Sequence, residues 1–256
     1  MTRRLVTGVA LLLVVACSGG AKKAAAPPSP VPEGAASGPV YVALGASETV
    51  GAGSTEPLRE AWPQVLFRTA LPPDTTFVNL GIPGTTVAGA LRRELPYAIE
   101  LRPDLVTIWL NVNDLVAGVT PARYERALGR LVAELRDEGV EDVLIANTPP
   151  LVDLPAYRAC RPHPPPAAPA CFTNETLPPP GVVSELVDAY NAAIDRVAAR
   201  EKATVVDLHA RARAAQRARG MSRLVSADGF HPSAAGHRAV AAAFAAALRR
   251  ASEGAG

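Results

Sequence analysis

Short apolar runs alternate with longer segments of helical periodicity along most of the chain. The runs are rich in β-branched residues and end in glycine, proline or polar residues, which is typical of strands buried on both faces. This pattern predicts strands at residues 40–44, 75–80, 105–110, 143–146 and 204–208. The longer segments predict helices at residues 62–71, 85–95, 121–138, 182–202, 210–219 and 233–250.

Five strands that alternate with helices predict an α/β fold, in which helices cover both faces of a parallel sheet. Ligands bind at the carboxyl ends of the strands in such sheets. The polar motifs of this chain fall close after predicted strands, so we expect them to meet at one edge of the sheet. Residues 39–251 are expected to form this single domain, because a chain of 256 residues leaves little for a second one.

The segment at residues 151–181 interrupts this rhythm. It contains many prolines and has neither a helical nor a strand period, and long stretches of this kind are usually functional or disordered. Because it follows the fourth predicted strand, on the side of the polar motifs, we expect it to lie over the site and restrict what enters. Its prolines favour a semi-rigid wall over a mobile lid. The alternative is that this segment is a surface insertion without contact to the catalytic residues.

The first residues are typical of an export signal. Two arginines precede an apolar stretch at residues 5–16 that is too short to span a bilayer. The stretch leads into a Val-Val-Ala-Cys sequence that resembles the lipobox of bacterial lipoproteins, in which the cysteine, here Cys17, is lipidated. We expect residues 1–17 to be a lipoprotein signal peptide and residues 18–38 to be a flexible tether. The alternative is an ordinary secretory signal, or a short anchor, with a chance cysteine.

The cysteines agree with export, and the expected product is anchored to the cell membrane by its N-terminal lipid. Cys160 and Cys171 lie together in the proline-rich segment, and an even pair in an oxidising compartment predicts a disulfide. His163 is nearby, but two thiols and one imidazole lack a fourth ligand at the usual zinc spacing. No metal is therefore expected.

The charge balance excludes a nucleic-acid partner. The chain has 26 Lys and Arg against 24 Asp and Glu, a formal charge of +2, and no Lys/Arg-rich run. It lacks a Gly-Lys-Ser/Thr phosphate loop and the G-x-G-x-x-G spacing of dinucleotide sites. No cofactor is therefore expected, and we expect a monomer.

Three residues at two distant places carry candidate nucleophilic chemistry. Ser47 follows the first predicted strand, and Asp228 and His231 precede the last predicted helix. A serine hydroxyl needs a base within hydrogen-bond reach, and that base needs a third group to fix its tautomer. Asp228 and His231 are three residues apart, so one turn could supply both the base and the group that orients it. Taken singly, a serine after a strand is more often a helix cap, and Asp and His are common at turns and helix starts.

Two further motifs follow other predicted strands. Gly81 follows the second strand, where its backbone N–H is open to a ligand. Asn113, in an Asn-Val-Asn-Asp sequence, follows the third, and a side-chain amide there can donate to an oxyanion. The alternatives are a turn glycine and ordinary Asn/Asp turn chemistry.

Together the motifs resemble the blocks of the SGNH/GDSL hydrolases, in the same order and at strand ends. That family has a Gly-Asp-Ser motif, a glycine block, a Gly-x-Asn-Asp block and a terminal Asp-x-x-His. Two positions depart from the pattern: Ala46 replaces the Asp before the serine, and Asn111 replaces the glycine of the third block. The resemblance implies a three-layer α/β/α sandwich with a five-stranded parallel sheet.

The resemblance also implies the roles of the candidate residues. Ser47 is expected to be the nucleophile, His231 the general base and then acid, and Asp228 the residue that orients it. The expected oxyanion hole combines the backbone N–H groups of Ser47 and Gly81 with the side-chain amide of Asn113. The expected reaction is hydrolysis of carboxylic esters through an acyl-enzyme, with short-chain or carbohydrate acyl esters as substrates.

Two other functions remain open. A sugar or cell-wall O-acyltransferase would use the same triad, because the acyl-enzyme step does not distinguish water from another acceptor. A catalytically silent module would keep the fold to bind glycan. The joint presence of the triad and Asn113 argues against this second function, because a non-catalytic module has no reason to retain them together.

Overall fold

The computed structural model of the protein describes residues 38–161 and 177–254. In this part of the chain, five parallel strands form one sheet with the order β2-β1-β3-β4-β5. The strands are β1 (Val40–Gly45), β2 (Thr76–Asn79), β3 (Leu105–Trp109), β4 (Asp142–Ala146) and β5 (Thr204–Val206). The predicted α/β fold with a five-stranded parallel sheet is confirmed.

The helices of the described residues connect these strands and follow the last one. They are α1 (Ser47–Val50), α2 (Pro57–Glu60), α3 (Trp62–Ala70), α4 (Val87–Arg93), α5 (Leu95–Glu100), α6 (Val112–Val116), α7 (Pro121–Asp137), α8 (Pro155–Cys160), α9 (Pro180–Arg200), α10 (Leu208–Arg217), α11 (Met221–Leu224) and α12 (Ala234–Gly254).

Alternate residues of the strands pack into two separate cores, one on each face of the sheet. Val42 and Leu44 of β1 belong to the core formed with α4, α5, α7 and α9. The intervening residue Ala43 belongs to the other core, formed with α3 and α12. In that second core, the rings of Trp62 and Phe244 stack with their centroids 4.2 Å apart. The result is the expected three layers, with helices on both faces of the sheet.

The order in which successive strands are added to the sheet reverses between β1 and β3. These two strands pair in parallel, from Tyr41 opposite Leu105 to Gly45 opposite Trp109. In open parallel sheets, ligands bind outside the carboxyl ends of the strands at this kind of switch point. Ser47 closely follows β1 and Asn113 closely follows β3, so both lie at this position.

Two predicted segments differ from the structure. The helix predicted at residues 85–95 is two helices, because Pro96 lies in the first turn of α5 instead of ending α4. Proline fits a first turn, where its missing N–H is not needed. The segment at residues 151–181 contains a 3₁₀ turn (Leu151–Asp153) and α8, and α9 begins at Pro180, so its described part is more regular than expected.

The predicted N-terminal features lie almost wholly outside the described residues. Residues 1–37, and Cys17 with them, are outside, so the signal peptide, tether and lipid anchor stay predictions. Cys160 is buried at the end of α8, whereas Cys171 also lies outside, so their disulfide stays a prediction. No helix within residues 38–161 and 177–254 is both long and apolar enough to cross a membrane.

Candidate active site

Ser47 is placed by a tight exit from β1. A Cβ atom at Gly45 would lie 2.0 Å from Oγ1 of Thr49, so a side chain at position 45 would collide with α1. Glycine therefore lets the chain turn directly from the strand into α1, whose first residue is Ser47. The Ser47 hydroxyl is half-buried at the carboxyl edge of the sheet.

Asp228 and His231 lie on one turn, as their spacing predicts. Oδ1 of Asp228 accepts hydrogen bonds from the backbone N–H groups of Phe230 and His231, at 2.8 and 2.9 Å, and from the Ser226 hydroxyl at 2.7 Å. Gly229 between them has a φ of 75°, which favours glycine. These bonds fix the turn and leave Oδ2 free to face the imidazole.

The structure brings Ser47, His231 and Asp228 into one hydrogen-bonded line. Nε2 of His231 lies 3.0 Å from Oγ of Ser47, and Nδ1 lies 2.6 Å from Oδ2 of Asp228. An ionised carboxylate only accepts hydrogen bonds, so Nδ1 carries the imidazole proton. Nε2 is then the acceptor for the serine hydroxyl, which is the arrangement that activates a serine nucleophile.

The Asp228 carboxyl is held in its ionised form. Partial burial by itself raises its pKa, but the hydrogen bonds from Ser226, His231 and Phe230 outweigh that effect and lower the pKa to about 2. The carboxylate therefore keeps its charge, which stabilises the imidazolium that forms when His231 accepts a proton.

Gly81 packs against Thr49 of α1, and its N–H group already has a partner. The Gly81 N–H donates to Oδ1 of Asn79 at 3.0 Å, while Nδ2 of Asn79 donates to the Thr49 carbonyl at 2.7 Å. A Cβ atom at Gly81 would lie about 3 Å from Thr49 as well, so this loop packs closely on α1. An oxyanion would have to share or replace the Asn79 oxygen, and the role of Gly81 stays a prediction.

The two asparagines after β3 have different surroundings. Asn113 is half-buried, and its Nδ2 donates to the Thr85 carbonyl at 3.0 Å, which leaves its second N–H for a ligand. Asn111 is 3% exposed, and its Nδ2 donates to the Ala146 carbonyl at the end of β4, at 3.2 Å. This difference supports the choice of Asn113 as the oxyanion donor and gives Asn111 a structural contact instead.

His237 is a second histidine close to the catalytic turn, but it is fully buried in α12. Its Nε2 lies 3.0 Å from the carbonyl oxygen of Ala52, to which it donates, and burial lowers its pKa. A neutral imidazole bound to a backbone carbonyl holds the loop after α1 in place. These contacts give His237 a structural role.

The sequence of the chain matches a known family over most of its length. The sequence profile of the "GDSL-like Lipase/Acylhydrolase family" matches residues 43–239, most of the chain, from β1 through α12. The chain belongs to this family. The predicted resemblance to this family is confirmed.

Individual relatives agree with this assignment. An arylesterase of Vibrio mimicus is 31% identical over 101 residues, which are 38% of this chain and 50% of the relative. The chain therefore spans about half the length of this curated relative.

Solved structures share the fold. TesA is 24% identical with a TM-score of 0.61, covering 82% of this chain and 98% of its own. A lipase/acylhydrolase from Enterococcus faecalis is 23% identical with a TM-score of 0.59, covering 81% and 93%. An acetylxylan esterase from Geobacillus stearothermophilus is 22% identical with a TM-score of 0.59, covering 81% and 93%.

The GDSL motif of this chain has an alanine where the family has an aspartate. Ala46 is 3% exposed and packs in the core with α4 and α5. A carboxyl group still supports this position, because Glu94, fully buried between α4 and α5, accepts the Gly45 N–H at 2.9 Å. Strand β2 pairs only as far as Asn79, so Glu94 supplies the acceptor where the ladder ends. No motif in the sequence marks Glu94 as part of the site.

A cavity of about 370 Å³ lies beside the triad, within the size range of small-molecule sites. Its lining is mainly apolar and comes from the ends of β3 and β4, from α10 to α12 and from the turn that carries His231. Leu151 and Leu154 form part of the wall, so the start of the proline-rich segment does border the site. The charged residues in the lining are Glu48, next to the nucleophile, and the exposed Arg211.

Proposed function

We propose that the protein is a serine esterase that hydrolyses carboxylic esters through an acyl-enzyme on Ser47. The observation that carries this proposal is the continuous hydrogen-bonded line from Ser47 through His231 to Asp228, with contacts of 3.0 and 2.6 Å. Membership of the GDSL-like lipase/acylhydrolase family supports the same reaction class.

In the proposed mechanism, His231 takes the proton of the Ser47 hydroxyl as the oxygen attacks the ester carbonyl. Asp228 stabilises the resulting imidazolium, and the Asn113 amide, with the backbone N–H groups of Ser47 and Gly81, binds the oxyanion. The imidazolium then gives its proton to the leaving alcohol. Water, activated by the same imidazole, hydrolyses the acyl-enzyme and restores the serine.

The cavity supports a substrate with a small or medium-sized apolar group next to the ester. Sugar hydroxyls placed in this apolar lining would lose their hydrogen bonds to water without replacement. We therefore propose short-chain or aryl esters before carbohydrate esters. The similar protein of Vibrio mimicus is an arylesterase, which supports the same order of substrates.

Turnover of p-nitrophenyl acetate by the purified domain, compared with turnover by the Ser47→Ala variant, tests this proposal. Loss of a triad member typically lowers kcat by several orders of magnitude while some catalysis by the oxyanion hole remains. A fluorophosphonate should label the peptide that contains Ser47. Near-native turnover by Ser47→Ala would overturn the assignment, and transfer to an added sugar in preference to water would favour the acyltransferase.

We also propose that the enzyme is exported and anchored by a lipid on Cys17, as the N-terminal sequence suggests. Metabolic labelling with a radioactive fatty acid in a bacterial host tests this idea. Label should enter the native chain and be absent from Cys17→Ala, and equal labelling of both chains would contradict the anchor.

A further inference from the structure

Glu48 is a buried carboxyl directly beside the nucleophile. Its side chain is 8% exposed and lines the apolar cavity with Trp109, Val112 and Phe230. Its Oε2 lies 3.4 Å from Oγ of Ser47, which is longer than the roughly 2.5–3.0 Å of an ordinary hydrogen bond between oxygens. Glu48 thus places a hydrogen-bonding group at the catalytic end of an apolar cavity.

The Glu48 carboxyl makes few other interactions in the structure. Two other buried carboxyls in the region hold backbone N–H groups at 2.9 Å: Glu94 binds Gly45, and Asp114 binds Val87. Within the part of the chain that the structure describes, Glu48 has only the long contact with Ser47 and a hydrogen bond with its own backbone N–H, and no ion pair includes it. A buried carboxyl without a strong partner is costly to keep, which indicates that its partner comes from outside the chain.

We propose that Glu48 determines substrate specificity by hydrogen bonding to a donor group on the carbon next to the ester carbonyl. This inference rests on the proposed esterase function. The carbonyl carbon must come within about 3–3.5 Å of Oγ of Ser47 for attack. Because Glu48 Oε2 is 3.4 Å from the same oxygen, a polar group on the carbon next to the carbonyl comes within its reach. The substrate class is therefore an α-hydroxy or α-amino acyl ester with an apolar side chain in the cavity.

The surroundings of Glu48 favour the hydroxyl over the ammonium. Burial raises the pKa of the Glu48 carboxyl, more than its hydrogen bonds and the nearby His231 lower it. A neutral carboxyl can accept a hydrogen bond from a hydroxyl, and donate one back, without placing charge in the cavity. An ammonium would require a buried ion pair, whose desolvation offsets much of the attraction.

Three ethyl esters test the proposal, because they differ only at the carbon next to the carbonyl: those of hydrocinnamic acid, phenyllactic acid and phenylalanine. The native enzyme should favour phenyllactate over hydrocinnamate in kcat/KM by roughly tenfold to a hundredfold, the value of one hydrogen bond to a buried polar group. Glu48→Leu should abolish this preference. Glu48→Gln should retain a reduced preference for the hydroxyl, because the amide oxygen still accepts. Glu56→Gln, an exposed carboxylate outside the cavity, should not change it.

The outcomes separate this inference from the proposed function. A preference for the phenylalanine ester that Glu48→Gln removes would also support recognition by Glu48, now as a carboxylate. Equal kcat/KM for all three esters, or a preference that survives in Glu48→Leu, would overturn the inference, while Ser47-dependent hydrolysis of the hydrocinnamate ester would leave the esterase standing. Absence of any Ser47-dependent hydrolysis would overturn both. Fluorophosphonate labelling of each variant confirms that its site is folded.

Discussion

The backbone N–H of Ala156 donates a hydrogen bond of 3.0 Å to the carbonyl oxygen of Gly229. This bond joins α8, at the start of the proline-rich segment, to the turn that carries Asp228 and His231. The contact is tight, because a Cβ atom at Gly229 would lie 2.8 Å from the Ala156 nitrogen. The position of the catalytic base therefore depends on a segment far from it in sequence.

Gly229→Ala should lower both stability and kcat. The residue has a φ of 75°, and left-handed backbone costs about 1–2 kcal/mol once a Cβ is present. The new methyl group would also push against Ala156 and displace His231, and small misplacements cost up to about a hundredfold in rate. Gly139→Ala is the matched control, because its φ of 86° carries the same backbone cost with nothing within 4 Å of the added Cβ. Thermal unfolding and p-nitrophenyl acetate kinetics measure both effects, and equal kcat losses in the two variants would contradict the prediction.

Asp228→Asn should keep the turn but remove most of the activity. The amide oxygen can still accept the bonds from Phe230 and His231 N–H, but an amide cannot stabilise the imidazolium as a carboxylate does. A loss of about ten-thousandfold in kcat is expected by analogy with other triads. Ser226→Ala removes one hydrogen bond to the same carboxylate and keeps its charge, so its loss should be far smaller. Steady-state kinetics of both variants measures the two losses in kcat. A larger loss in Ser226→Ala than in Asp228→Asn would refute the prediction.

Asn113→Ala should lower kcat by about a hundred- to a thousandfold with little change in KM, the usual cost of one oxyanion donor. Asn111→Ala should act mainly on stability, because the Asn111 amide joins the end of β3 to the Ala146 carbonyl at the end of β4. Kinetics and thermal unfolding of the pair separate the two roles. The reverse pattern would show that Asn111 faces the oxyanion.

Glu94 should make the protein less stable as the pH rises. Burial raises its pKa from 4.5 to about 8, so the unfolded chain releases this proton near pH 4.5 while the folded chain keeps it until about pH 8. The folded state binds more protons in this window, so its stability falls as the pH rises through it, by on the order of a few kcal/mol. Glu94→Gln accepts the Gly45 N–H at every pH and should flatten this part of the profile, whereas the exposed Glu56→Gln should not. Urea unfolding across this range measures the slopes, and parallel profiles for native protein and Glu94→Gln would rule the effect out.

The order of the main elements follows from the sequence because their periodicity extends over many residues. Helix α7 and strand β3 have clear apolar patterns and lie where these patterns predict. The short helices α1 and α6 were not predicted, because one turn is too short to show a period. Pro96 directly follows the helix predicted at residues 85–95, yet it lies in the first turn of α5. A proline both ends one helix and suits the first turn of the next, so the sequence alone does not separate the two outcomes.

The triad was predictable because serine, aspartate and histidine are the residue types that nucleophilic catalysis needs, and because Asp228 and His231 are three residues apart. Glu48 and Glu94 were not, because charged residues are mostly exposed and only the packing around them determines their burial. Their positions depend on the end of the β1–β2 ladder and on the cavity behind Ser47, which arise from residues distant in sequence. The hydrogen bond between Gly81 and Asn79 was also not foreseen, since an amide side chain after a strand has many partners within reach.

Ser47 and His231 are 184 positions apart, and α12, which follows the histidine, completes the second core by stacking Phe244 on Trp62. A ribosome releases the nucleophile long before the base, so a growing chain holds its reactive serine without the group that activates it. A chain that stops before His231 therefore lacks the triad. Activity begins only when the turn that carries His231 folds back onto the end of β1, so catalysis requires that these distant parts of the chain have folded together.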